Sequence, residues 1–268
     1  ICTFFLAILF YLIGFEGYKL GISSLTYSLV LETLVILFLV RKYLFDDSFI
    51  ITKDIFLVGD LAKFFIPLLL AAFIPSFTMP AINACLTRLD NPEVSISAVN
   101  IGFGIFGAVS FTINGCQSTI LSLISNGYSY FKIRNFSYFV GFITLILCGL
   151  IAWINPVNHF ILSTIFNIDG DLYNNTLLVF RLLFFLPPFL VMEQLYVGII
   201  MNSKSTNPII YINICRFLVL IVILGLGILL FKNFESYGTI VGGFAWSITL
   251  FFEAIFAWFF AKNLKIYN

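Results

Sequence analysis

Apolar and polar positions along this chain fall into long blocks. Runs of apolar residues about as long as a bilayer-crossing helix alternate with short polar connections, and no run shows the period of two that marks a half-buried strand. Eight such runs are expected as transmembrane helices, at about 1–14, 21–40, 64–86, 96–125, 136–155, 174–201, 208–231 and 237–261, the first of them clipped. The longest polar connection mixes Lys42, Lys53, Asp46, Asp47, Asp54 and Asp60. It divides the chain into an N-terminal helix pair (1–41), a linker (42–62) and a block of six helices (63–268). The expected fold class is an all-α integral membrane protein.

Composition supports the same placement. Apolar residues make up 61% of the chain, charged residues 10%, and the mean hydropathy is +1.07. A soluble domain carries about 25% charged residues, so a bilayer is the expected partner. The net charge of +1 and the absence of a basic stripe speak against nucleic acid. Cys2, Cys85, Cys116, Cys148 and Cys215 are scattered through apolar runs without paired spacing, which fits small core residues better than a metal site or a disulfide framework. There is a single histidine, His159, and no Gly-rich phosphate loop. No cofactor and no enzymatic chemistry are therefore expected.

Charge also sets an orientation. One set of connections holds Arg41, Lys42, Lys53, Lys63, Lys132, Arg134, Lys204, Lys262 and Lys265, while the other holds Lys19, Arg88 and Lys232. By the positive-inside rule the linker and the C-terminus are expected on the cytoplasmic side, in the plasma membrane.

Candidate chemistry lies in what is polar or broken inside the apolar runs. The sixth run, TLLVFRLLFFLPPFLVMEQLYVGIIMN, carries Arg181, the pair Pro187-Pro188, and Glu193; the seventh carries Arg216 and the eighth Glu253. Counted along helices of alternating direction, Glu193, Arg216 and Glu253 reach one depth, about 5 Å to the cytoplasmic side of centre at 1.5 Å per residue. Ionisable groups at membrane depth are costly and face a partner or a water-filled cavity. Two readings fit: a buried salt-bridge network, or a binding and coupling site of the kind secondary transporters build from charges and broken helices. Glu32 stands alone near the middle of the second run, expected either protonated or facing a cavity. The third run contains Pro67, Pro75 and Pro80, then Asn83 and Arg88, and reads as a bent helix whose prolines serve gating.

These residues occur in an order that resembles the progressive ankylosis protein family, within the multidrug-and-toxin-extrusion-like (MATE-like, polysaccharide-flippase) superfamily. The third run has Pro80, Asn83 and Arg88, the sixth RLLFFLP from Arg181 to Pro187. A turn GIIMNSKST follows, with Gly198, Met201, Lys204 and Thr206, then Arg216, then Gly238, Gly242 and Glu253. The match runs over about 60–265. The loop NGYSYFKIRN is shorter than the family pattern, and the surroundings of Glu193 differ from it. The resemblance implies one complete six-helix lobe, preceded by the last two helices of another lobe whose remainder lies outside this sequence. It also implies a secondary transporter that works by alternating access and exports small anions of the pyrophosphate, nucleotide or citrate class. Arg88, Arg181, Arg216 and Asn83 would bind the solute, since guanidinium pairs bidentately with phosphate and carboxylate. Glu193, Glu253 and Glu32 would form ion pairs or carry a coupling H+ or Na+. The alternative within the superfamily is a flippase for lipid-linked oligosaccharide or a cation-coupled drug antiporter.

Overall fold

The computed structural model describes residues 2–44, 58–203, 207–231 and 237–263, and every regular element among them is helical. The helices are α1 (Cys2–Leu12), α2 (Gly17–Leu44), α3 (Val58–Ser76), α4 (Thr78–Leu86), α5 (Pro92–Asn114), α6 (Cys116–Ser125), α7 (Tyr130–Trp153) and α8 (Asn155–His159). A π-helical turn follows (Phe160–Ile165), then α9 (Gly170–Leu183), α10 (Leu186–Asn202), α11 (Asn207–Phe231) and α12 (Gly238–Asn263).

Among the described residues six spans are long and apolar enough to cross a bilayer: Gly17–Arg41, Phe65–Leu86, Pro92–Ser125, Tyr130–Trp153, Asn207–Phe231 and Gly238–Asn263. Counting α9 and α10 as one bent span makes seven. Most of these bounds match the runs expected from sequence. Of the eight expected runs, up to seven correspond to such spans among the described residues, while the first, clipped run forms α1, of 11 residues, shorter than the roughly 20 a bilayer takes. Many large apolar side chains are left exposed, among them Phe111, Leu229 and Leu230, as an outer surface in contact with lipid requires.

Contacts divide the chain into two units, Ile1–Phe56 and Leu57–Asn268. In the first, α1 and α2 form a hairpin across a turn with Gly14 at φ 93° and Gly17 at φ 56°, backbone conformations that glycine adopts without strain. Thr3 donates to Ser28 across the pair at 2.9 Å, and the Phe10 and Tyr27 rings lie 5.3 Å apart. The expected linker 42–62 is shorter in regular terms, since α2 runs to Leu44 and α3 starts at Val58. The linker positions 45–57, with Asp46, Asp47, Lys53 and Asp54, lie outside the described residues.

In the second unit α12 is the central helix, packed against α4, α5, α9, α10 and α11. Gly238, Gly242, Ala245, Thr249, Glu253, Ala257 and Ala261 are all buried and recur every three or four residues, which makes one stripe of mostly small side chains. Without a hydrophobic drive between helices in lipid, such a stripe lets backbones approach and gain packing. A Cβ on Gly242 would come within 2.9 Å of Val99, and one on Gly243 within 2.9 Å of Leu182.

Candidate functional site

The site builds outward from the stripe on α12. Arg216 Nη1 stands 2.9 Å from both carboxylate oxygens of Glu253, and its bond to Oε1 is a well-aligned hydrogen bond. Both side chains are deeply buried, at 11% and 2% exposure. Arg216 lies nine residues past Asn207, the start of α11, and Glu253 lies ten residues before Asn263, the end of α12. Glu193 lies nine residues before Asn202, the end of α10. All three sit about 14 Å along their helices from the same end of the bundle, by helical rise. Of the three residues expected at one depth, the structure pairs Arg216 with Glu253. Glu193 is partly buried and accepts a hydrogen bond from Gln194 Nε2 at 3.3 Å.

An ion pair taken so far out of water is held by geometry and supporting bonds rather than by charge alone. Here the support is incomplete. Arg216 Nε, Glu253 Oε2 and the indole Nε1 of Trp246 are buried without a hydrogen-bond partner among the described residues. The Arg216 guanidinium carbon is 5.9 Å from the centroid of the Trp246 ring, which itself packs on Phe103 at 4.2 Å.

Above this pair the sixth run is broken. The axes of α9 and α10 meet at 46°, and Phe184 and Phe185 form the break. The sequence places Pro187 and Pro188 in the middle of one helix, but the structure puts both in the first turn of α10, after the N-cap Phe185. There a missing N–H removes no intrahelical bond, so the break costs less than an interior kink. On the neighbouring helix, Ser247 Oγ lies 2.9 Å from the Leu182 carbonyl and 2.9 Å from that of Gly243. The third run is interrupted at Phe77, between α3 and α4, but still passes as one span, Phe65–Leu86. Pro80 sits exposed in the first turn of α4, while Pro67, buried, and Pro75 lie inside α3.

The remaining candidates are dispersed. Arg181, in the last turn of α9, is exposed with its guanidinium 5.1 Å from the Trp153 ring centroid. Arg88 is exposed in the turn after α4, its backbone N–H donating to Cys85 at 3.0 Å. Asn83 is partly buried with its Oδ1 unpartnered. No described contact joins Arg88, Arg181 or Asn83 to Arg216, so the four do not form one contact cluster. Glu32 is exposed on α2, in the N-terminal unit. Lys204 and Thr206 lie outside the described residues.

Sequence reasoning passed over Trp246, Ser247 and the pair Asn158–Tyr173. Trp246 stands seven residues before Glu253, two turns along the same face, and that spacing was a readable signal. Asn158 is fully buried beside the π-helical turn, its Oδ1 accepting from the Tyr173 hydroxyl at 2.7 Å, and nothing local in the sequence pairs them. Among the described residues no group of three or more His, Cys, Asp or Glu is arranged to hold a metal.

Comparison of this chain with family models, with curated proteins and with solved structures gave no match to any of them.

Proposed function

We propose that this chain is part of a multi-pass secondary transporter that moves small anions by alternating access, with α3–α12 as one lobe. The observation that carries the reading is the Arg216–Glu253 pair. It is a buried charge at membrane depth with an unspent donor, on the helices next to a broken span. Polar groups of this kind persist in hydrocarbon where they serve a solute or an ion pathway. The resemblance of Arg181, Pro187, Arg216 and Glu253 to the progressive ankylosis family supports the anion class, and Arg suits a phosphate or carboxylate. On this reading Arg88 and Arg181 take part in successive states rather than in one site. The proposed orientation, with the C-terminus cytoplasmic, follows from the Lys and Arg distribution.

The test is efflux from proteoliposomes of the full-length protein loaded with pyrophosphate, ATP or citrate. Arg216→Lys and Arg181→Ala that remain folded should lose efflux of one anion class. A folded protein that releases none of the three would refute the proposal.

A second reading, a flippase for lipid-linked sugars, is favoured by apolar clefts on this lobe. One of about 370 Å³ lies between α11 and α12, lined by residues including Leu226, Gly227, Leu230 and Phe244. Another of about 610 Å³ is bordered by Ile101, Gly104, Ala108, Ile161 and Phe166. Such clefts suit an acyl or prenyl chain. Head-group transfer of a fluorescent lipid-linked sugar, with no anion efflux, would decide for it.

A further inference from the structure

The helix α7 opens on a basic and aromatic segment, YFKIRNFSYF, at residues 130–139. Ile133 and Ser137 are buried and mark the side that meets the bundle. Arg134 stands on the flank of that side. Its guanidinium carbon lies 5.9 Å from the Tyr130 ring centroid, 5.2 Å from that of Phe131 and 6.0 Å from that of Tyr138. All three rings come from positions three or four residues away, the spacing that lets side chains meet on a helix surface. Arg134 Nε is buried without a hydrogen-bond partner among the described residues. Lys132 is exposed and, two positions from Arg134, lies on the other side of the helix.

Arg134 sits near the edge of the hydrocarbon. At the far end of α7 the Trp153 ring centroid is 5.1 Å from the Arg181 guanidinium. Trp153 is nineteen residues beyond Arg134, about 28 Å by helical rise, and a hydrocarbon core is about 30 Å thick. The helix thus carries an arginine–aromatic contact at each end, where such side chains anchor a span. Tyr130 and Ile133 also share an apolar cluster with Ile200 of α10 and Ala261 of α12, close to the ends of those helices. There Lys262 Nζ lies 5.4 Å from the Trp258 ring centroid.

Charge at this end of α7 is one-sided. No Asp or Glu occurs between Glu93 and Asp169. The helices packed on α7 are α5, α6, α8, α9 and α10. Glu93 and Asp171 open α5 and α9 at the opposite end of the bundle, where Thr239 near the start of α12 donates to Asn175 at 2.8 Å. Glu193 lies nine residues before the end of α10, and α6 and α8 carry no acid.

We infer that Arg134, braced by the Tyr130, Phe131 and Tyr138 rings, binds the phosphate of an anionic phospholipid at the membrane boundary, whether or not the chain transports. A buried donor that the protein leaves without an acceptor calls for one from outside, and a guanidinium fork matches phosphate oxygens. The rings keep water from the cation, which strengthens its attraction to an anion. A zwitterionic head group would bring an ammonium that no acid at this end meets, so a lipid of net negative charge is favoured. Phe142, four residues past Tyr138, is exposed and continues the same side with apolar surface for an acyl chain, which distinguishes a lipid from free phosphate. In the proposed orientation this end is cytoplasmic, the side whose leaflet carries anionic lipid.

Native mass spectrometry of the full-length protein tests this, with phosphatidylglycerol and phosphatidylcholine of identical acyl chains offered in equal amounts. Wild type should retain phosphatidylglycerol in preference to phosphatidylcholine. Arg134→Ala should lower that retention about tenfold, as loss of one charge-assisted contact implies. Lys132→Ala removes the same charge from the other side of α7 and should leave retention within about twofold of wild type. If the alanine variant does not fold, Arg134→Lys, which keeps the charge and loses the fork, should still weaken retention several-fold. Equal retention of the two lipids by wild type, or unchanged retention in the Arg134 variants, would overturn the inference. Equal losses in Arg134→Ala and Lys132→Ala would reduce it to the general attraction of a basic surface and overturn it as well. Displacement of the lipid by inorganic phosphate, but not by chloride at the same ionic strength, would assign the site to a free anion instead.

Discussion

Ser247 on α12 places its hydroxyl 2.9 Å from the carbonyl of Leu182, in the last turn of α9, where the sixth apolar run breaks. Pro187 and Pro188 offer no N–H to the carbonyls of Leu183 and Phe184, so the break is a place where backbone acceptors lack donors. The serine from the neighbouring helix serves the carbonyl one residue before these two, that of Leu182. The same hydroxyl is also 2.9 Å from Gly243 within its own helix, so its single hydrogen is divided between two acceptors. Ser247→Ala should cost about 1 kcal/mol, seen as a Tm lower by a few degrees in detergent. An unchanged Tm would mean that the carbonyl at the break is satisfied without it.

Close approach of the helices gives a second prediction. A Cβ on Gly102 would stand 2.6 Å from Val179 Cγ1, whereas nothing lies within 4 Å of one on Gly104. Gly102→Ala should push α5 away from α9 and destabilise by about 1–3 kcal/mol. Gly104→Ala, two residues along the same helix, should be neutral or slightly stabilising, because alanine favours a helix interior. Equal effects in thermal unfolding would contradict the packing of α5 on α9.

The Arg216–Glu253 pair supports a double-mutant cycle. Arg216→Met alone strands a carboxylate at 2% exposure and should destabilise by about 3–5 kcal/mol. Adding Glu253→Leu removes the stranded charge and should recover most of the loss. If the pair is functional, the double variant folds and does not transport. If it transports at the wild-type rate, the pair is structural.

Tyr173→Phe removes the donor to Oδ1 of the fully buried Asn158. It should cost about 1–3 kcal/mol, the penalty of an unsatisfied buried acceptor. Asn158→Leu in the same background should return part of it, measured by thermal unfolding.

Arg181→Ala gives up a cation–π contact with Trp153 at an exposed position and should cost about 0.5–1 kcal/mol. Transport lost with so small a change in Tm would assign Arg181 to the solute. Transport kept would leave it as an interfacial anchor beside Trp153.

Much of the fold was legible because the bilayer imposes length on apolar runs. The run expected at 208–231 is Asn207–Phe231, and that at 237–261 is Gly238–Asn263. That Arg216 and Glu253 could meet was legible for a related reason: a helix rises by a constant amount per residue, so counting along two neighbouring helices compares their depths. The direction these residues face was not. The helices carrying them are apolar all round, and no polar face marks which side meets a neighbour. Arg88, Arg181 and Arg216 share a residue type and a chemistry, yet that similarity carried no information about distance.

By itself, then, the sequence determined that this is an all-helical protein with several apolar spans, and about where most of those spans lie. These follow from local quantities, hydropathy and helical rise. Only the tertiary structure decided that Arg216 spends one nitrogen on Glu253, that Trp246 and Ser247 stand beside the ion pair and the break, and that Pro187 and Pro188 open a helix rather than bend one. Those facts depend on which small side chains of α12 let a neighbour approach, a property of pairs of helices that no single run records.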